Sequence, residues 1–445
     1  MSTARARRML EAPILPTLLR LAAPGVLLVI TQSAVSISDT YFVGRLGTEA
    51  LAGLALVFPL VMLLQMMSAG AMGRGISSAV ARALGAGDDH QARLLVVHGV
   101  VLALGMGLLF TLLLLALGRG IYALLGARGE VIGHALAYSD VLFCGAVLVW
   151  LANTFASVLR GSGNTLVPAL ALIVAAFLHV PLSAGLVLGL GPLPKLGIAG
   201  AGVAYLVAAG CASIVTGTYI WRSPLRPALA ELRLEARLFR EILRVGLISS
   251  VAALQTVLTA VILTGLVGRF GTAALAGYGV GIRLELLQVP LVFAIGQALV
   301  VLVGTHIGAN RPHRAKRIAW TGAGLASAVS AFIGLGAALF PAAWITLFSS
   351  DSAVLEAGSQ YLRIVGPFYP LFGINIALYF ASQGRGRVGW PVFAGTMRLL
   401  IVVAGGAAAV ALGAPLWSLF AVLALGISVM GSVTAWAVHK SDWGR

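Results

Sequence analysis

Polar residues are the exceptions along this chain. From Leu21 onward it runs through stretches of roughly 20 apolar residues, the length a helix needs to cross the hydrocarbon core of a bilayer, broken by short segments rich in Arg, Asp, Gly and Pro. The pattern predicts twelve spanning helices, at residues 22–43, 51–80, 95–117, 138–158, 167–190, 197–220, 245–267, 274–304, 319–340, 362–382, 390–412 and 415–436. The polar interruptions repeat. "GRLGTEALAG" at 44–53 returns as "GRFGTAALAG" at 268–277, eight of ten positions matching at a shift of 224. "GAGDDHQAR" from 85 answers "GANRPHRAK" from 308, and "RGSGNTLVP" from 160 answers "QGRGRVGWP" from 383, both shifted by 223. Landmarks held in register over that distance divide the protein into two six-helix halves. Six is even, so both halves enter the membrane from one side, and the repeat is parallel about an axis along the membrane normal.

Composition fits an all-α polytopic membrane protein: 60% hydrophobic, 10% charged, with a mean hydropathy of +1.00. The basic opening "MSTARARRML" runs into a full-length first span, so no cleavable signal is expected. Of the 30 basic residues, 21 fall on the side that holds both termini and only five (Arg45, Arg119, Arg128, Lys195 and Arg269) on the other. The positive-inside rule therefore places both termini in the cytoplasm, in a bacterial-type inner membrane. The net charge of +16 is a product of that topology and does not call for a nucleic-acid partner. The halves are expected at 1–221 and 245–445, joined by 222–244, whose six Arg and three Glu read either as an amphipathic helix on the membrane surface or as a solvated connector. A monomer is expected.

The chemistry-bearing residues are few. Asp39 ends the first apolar run, where a carboxylate marks a water-filled pathway, a proton or ion site, or a helix end. The seven His and two Cys (Cys144 and Cys211) show no catalytic or metal-ligand spacing, and no phosphate-binding glycine loop occurs. No enzyme, metal or cofactor is expected, and ATP is not the direct energy source. A membrane acyltransferase is the rival outside transport.

The strings "SDTYFVGRLGTEALAG", "LGAGDDHQAR", "LRGSGNT" and "FGTAALAGYGVGIRLE" resemble the multidrug and toxic compound extrusion (MATE) family of secondary antiporters, in order and across nearly the whole chain. The resemblance implies two lobes of six helices around a central cavity. It also implies export of amphipathic, often cationic, small molecules in exchange for H⁺ or Na⁺. A lipid or lipid-linked-sugar flippase of related architecture is the alternative; such a protein would line its cavity with several basic residues.

The same resemblance makes Asp39 the ion-coupling carboxylate, since it stands just before "T-x-F-V-G". Gln32 and Asn153 match polar positions of the family; each lines the same pocket or makes a helix–helix hydrogen bond. In the fifth span, Ala176 and Val180 replace an Asn and an Asp found in many relatives. His179 stands beside the lost acid, displaced by about 100° around the helix. It either replaces that acid as a proton partner or faces a neighbour. Glu285 in the eighth span contacts cationic substrate or a second ion, or else pairs with Arg398. The repeat aligns Asp140 with Arg363, at the expected outer starts of the fourth and tenth spans, as a candidate extracellular gate pair. Met62, Met66, Met67 and Met72 form an adaptable apolar wall or ordinary packing.

Overall fold

The structure, a computed structural model, describes residues 8–227 and 233–443, apart from the side chains of Val29, Ile30 and Leu286. Helices account for nearly all of it, and no strand occurs among the described residues. The first half holds α1 (Ile14–Gly44), α2 (Thr48–Gln65), a π-helical segment (Met66–Met72), α3 (Gly73–Gly85), α4 (Asp89–Leu124), α5 (Glu130–Cys144), α6 (Ala146–Gly161), α7 (Leu166–Leu188) and α8 (Ile198–Trp221). The second holds α9 (Ala236–Gly268), α10 (Thr272–Gly308), α11 (Pro312–Leu339), the short α12 (Pro341–Ile345), α13 (Ser352–Val365), a 3₁₀ turn (Gly366–Phe368), α14 (Tyr369–Arg385), α15 (Gly389–Ala411) and α16 (Leu416–Lys440). Eleven helices among the described residues are long and apolar enough to span a bilayer, and the pair α5 and α6, bent by 50°, makes twelve.

The repeated strings prove to be the turns between spans. Gly87 (φ 77°) and its repeat-mate Asn310 (φ 56°) both occupy the left-handed region, as do Gly163 (φ 76°) and Gly386 (φ 82°). Only Gly, and at smaller cost Asn, adopts that conformation readily, so a turn of fixed geometry keeps its residue in both halves. The break within the fourth span recurs as well. The bend at Gly145 corresponds to the 3₁₀ turn at Gly366–Phe368 in the tenth. Both broken spans begin well before their apolar windows, because "EVIGHALAYSD" and "SAVLEAGSQYLR" dilute the hydropathy. Asp140 is thus ten residues into the helix that starts at Glu130, about 15 Å along it. Arg363 lies two residues before the end of α13. Each is exposed, each belongs to its own unit, and both stand next to a bend, where the hydropathy pattern put the mouth of a span.

The described residues form two compact units, one of residues 8, 23–227 and 233–246, the other of 9–22 and 247–443. The first packs around Trp150, Tyr122 and Phe143, the second around Tyr361, Tyr369, Phe380 and Phe420, all fully buried. Residues 236–246 are not a separate surface helix: they are the opening turns of α9, and they pack on the first unit. Leu238 and Ile242 are inaccessible to solvent, and Arg82 pairs with Glu241 at 2.7 Å. A Cβ on Gly75 would come within 2.6 Å of the Ile242 carbonyl, so the approach of α3 to α9 needs that glycine. Residues 228–232 of the connecting segment lie outside the described residues. The four methionines do not make one wall. Met72 is buried against Gly246, whereas Met62 is 46% exposed.

Candidate functional site

Asp39 lies five residues before the end of α1 and is buried, with 9% of its surface exposed. What receives it is α7. His179 and Ser183, four residues apart on that helix, share a face. The His179 Nε2 sits 2.9 Å from both carboxylate oxygens, and the Ser183 hydroxyl donates to Oδ1 at 2.7 Å. Pro181 between them removes one backbone hydrogen bond from that turn. Both partners are almost fully shielded from solvent. The offset of His179 from the family's usual acid position therefore does not turn it away: α7 presents the 179/183 stripe to α1.

A second polar group adjoins the pair. The Tyr205 ring of α8 meets His179 edge-on, with centroids 6.2 Å apart and planes at 88°. Its hydroxyl hydrogen-bonds the side-chain amide of Gln65, at the end of α2. The Gln65 carbonyl accepts from Asn153 Nδ2 at 3.0 Å, and the same amide donates to Ser68 Oγ at 2.8 Å. Ser68 belongs to the π-helical segment, whose wider turn changes the angular step between residues, and Gln65 immediately precedes it. One polar series thus links α1, α7, α8, α2 and α6 within the first unit. His179 Nδ1, on the far side of the ring from Asp39, is buried without a hydrogen-bond partner. An imidazole held this way can carry a charge opposite the carboxylate or share a proton with it.

Asn153 joins this series through Gln65 and does not touch Asp39. Gln32, two turns before Asp39 on α1, is exposed and makes no hydrogen bond with either member of the pair. Gln65, Ser68, Ser183 and Tyr205 escape the sequence reading. Gln65 alone leaves a signal there, as a lone amide inside "VMLLQMMS". In the second unit, Glu285 accepts a hydrogen bond from the Tyr361 hydroxyl at 3.1 Å. Among the described residues no ion pair joins it to Arg398, which goes against one of the two roles expected for Glu285; the Arg283 guanidinium lies 5.5 Å above the Phe348 ring. Elsewhere, Glu49, Glu130 and His134 bring donor atoms within 4.8 Å of one another, near the start of α2 and in α5, two of them exposed.

The sequence profile of the MatE family matches residues 24–184 and 249–407, most of both halves. The chain belongs to the MatE family. Among curated relatives, the FAD transporter of Shewanella oneidensis is 28% identical over 388 residues, covering 85% of this chain and 84% of its own length. A Bradyrhizobium diazoefficiens protein named "Probable multidrug resistance protein NorM" is 31% identical over 412 residues, covering 84% of each chain. A crystal structure of a MATE protein in the bent conformation superposes with a TM-score of 0.90 at 23% identity, covering 98% of this chain and 96% of its own. This MATE protein is accordingly a multi-pass membrane protein of a transporter family, and its two halves have the two-lobe MATE fold.

Proposed function

We propose that this MATE protein exports amphipathic small molecules across the cytoplasmic membrane in exchange for protons, and that Asp39 with His179 is the coupling site. The observation that carries the reading is the contact of His179 Nε2 with both oxygens of a buried carboxylate. Hard cations such as Na⁺ are held by several oxygen ligands, as oxygen-rich Ca²⁺ and Mg²⁺ sites illustrate. Here the side chains found on the carboxylate are an imidazole nitrogen and one hydroxyl. When that nitrogen carries its hydrogen toward Asp39, it occupies the place of an added cation. Imidazole and carboxylate together can hold a proton between them and pass it on.

The mechanism follows from differential binding. A proton entering from outside neutralises Asp39, which weakens its attraction to His179 and Ser183 and releases the α1–α7 contact. Substrate favours the deprotonated, paired arrangement. Each ligand can shift the equilibrium only by its difference in affinity for the two states. Tyr205, Gln65 and Asn153 extend the change from the pair to α2 and α6. Glu285, with acceptor capacity left beside its one bond from Tyr361, serves the cationic end of a substrate. The positive-inside count supports cytoplasmic termini.

Proton release on substrate binding tests this reading without any gradient. Adding an amphipathic cationic dye to the purified protein in weak buffer should release protons in proportion to bound dye, and Asp39→Asn should abolish the release. Dye binding with no proton release from the unaltered protein would reject the coupling site.

A further inference from the structure

Arg398 is the tenth of 23 residues in α15, half-way through a span. A cation at that depth costs a few kcal/mol on insertion scales and is retained where it pairs, lines water or binds something. Among the described residues Arg398 forms no ion pair or hydrogen bond, and its Nε is buried without a partner. Its stem is pinned across Gly426 of α16, where an added Cβ would stand 3.2 Å from Arg398 Cγ. Glu285, the acid of α10, is engaged with Tyr361.

The residue lines a cavity of about 70 Å³ inside the second unit, together with Gln255, Thr256 and Thr259 of α9 and Asn375 and Tyr379 of α14. Gln255 is 91% buried (9% exposed); its Nε2 donates to Thr396 Oγ1 at 2.7 Å, while its Oε1 is buried with no partner. The Asn375 carbonyl accepts from the Thr434 hydroxyl at 2.8 Å, which leaves its N–H₂ free to donate. Gly395 keeps the space open, since a Cβ there would meet Gln255 Oε1 at 2.7 Å. Thr256 is exposed, so the cavity reaches the surface of the unit. The lining supplies a guanidinium fork and the Asn375 N–H₂, with no carboxylate; the Thr256 and Thr259 hydroxyls donate to backbone carbonyls of α9. That set complements an oxyanion, and a planar guanidinium binds a carboxylate or phosphate through two parallel bonds. The volume suits one acidic group, with the body of the ligand left outside.

We propose that Arg398 and Asn375, beside the wall formed by Gln255, make a subsite for the carboxylate or phosphate of an amphipathic anion. It deepens the export reading by adding anionic compounds to the substrates, and rests on that reading for its purpose; binding itself needs no gradient. The test is fluorescence titration of the purified protein with 1-pyrenebutyrate and its uncharged counterpart 1-pyrenebutanol. The carboxylate should bind at least tenfold more tightly than the alcohol. Arg398→Gln should erase that difference and leave the alcohol unchanged, Arg398→Lys should keep part of it, and Gly395→Ala, which leaves the charge in place, should weaken the carboxylate alone. Equal affinity of the unaltered protein for both probes, or full preference for the carboxylate in either Arg398→Gln or Gly395→Ala, overturns the proposal. Repeating the titration in phosphatidylcholine nanodiscs with and without phosphatidylglycerol identifies the source. Competition by the anionic lipid that disappears in Arg398→Gln assigns the subsite to a lipid phosphate, and its absence assigns it to a soluble anion. Loss of gradient-driven transport with this preference intact would instead reject the export reading alone.

Discussion

Replacing His179 by Leu removes the Nε2 that lies 2.9 Å from both oxygens of Asp39 and leaves Ser183 as the hydrogen-bonding partner found there. A hydrogen bond to a charged group is worth about 1.5–3 kcal/mol. The Asp39 side chain retains 13% exposure, so water recovers part of the loss, and about 2 kcal/mol is a fair magnitude. At about 1.4 kcal/mol per factor of ten, that disfavours the paired state roughly thirtyfold. His179→Gln offers a neutral donor, roughly half as strong, so its shift should be near fivefold. Dye efflux from proteoliposomes under a fixed pH gradient should therefore fall in the order unaltered, His179→Gln, His179→Leu, with neither variant keeping the original pH profile. The decisive arm is a double-mutant cycle. Read in thermal unfolding, because Asp39→Asn is silent in transport, the cycle predicts that Asp39→Asn with His179→Leu is no less stable than Asp39→Asn alone if the two groups act as one unit. Additive losses of stability, or an unchanged pH profile in both His179 variants, would refute the pairing and return His179 to packing.

Glu285→Gln should weaken cationic substrates by about fivefold or more and spare neutral ones, whereas equal losses in dye-binding titrations would make Glu285 a structural partner of Tyr361. Arg82 and Glu241, with side chains 15% and 23% exposed, tie α3 to the opening of α9, so Arg82→Glu should lower the melting temperature. Adding Glu241→Arg should restore most of that loss, worth about 1 kcal/mol, and a double variant no more stable than the single one would discount the pair. Gly75→Val forces a side chain against the Ile242 carbonyl and should destabilise the protein by about 1–3 kcal/mol in thermal unfolding, with an unchanged transition contradicting the close approach.

The repeat was legible because it is written in turn residues. A left-handed turn restricts its position to Gly or Asn, so the signal outlasts changes in the apolar surroundings, as at Gly87 and Asn310. The spans were legible from hydropathy, yet their ends were not, because helices such as α5 begin among polar residues that dilute the window. Asp39 could be singled out by its cost in an apolar run. Its pairing with His179 could not be settled, since spacing along α7 does not fix how that helix is rotated toward α1. The Gln65, Ser68 and Asn153 cluster was hidden for a related reason: the π-helical segment changes the angular step just where these side chains converge. Charge left two roles open for Glu285 in the second unit, because it does not show which side chains meet. Glu285 is held by Tyr361, and Arg398 faces a cavity with no carboxylate in its lining.

The central claim, that a proton acting at Asp39 drives export, is tested most directly in proteoliposomes with a fluorescent amphipathic dye and one imposed gradient at a time. A tenfold pH gradient at equal Na⁺ should drive dye transport, a tenfold Na⁺ gradient at equal pH should drive none above background, and Asp39→Asn should be silent under both. Transport driven as fast by Na⁺ as by the pH gradient, or undiminished in Asp39→Asn, would contradict the account.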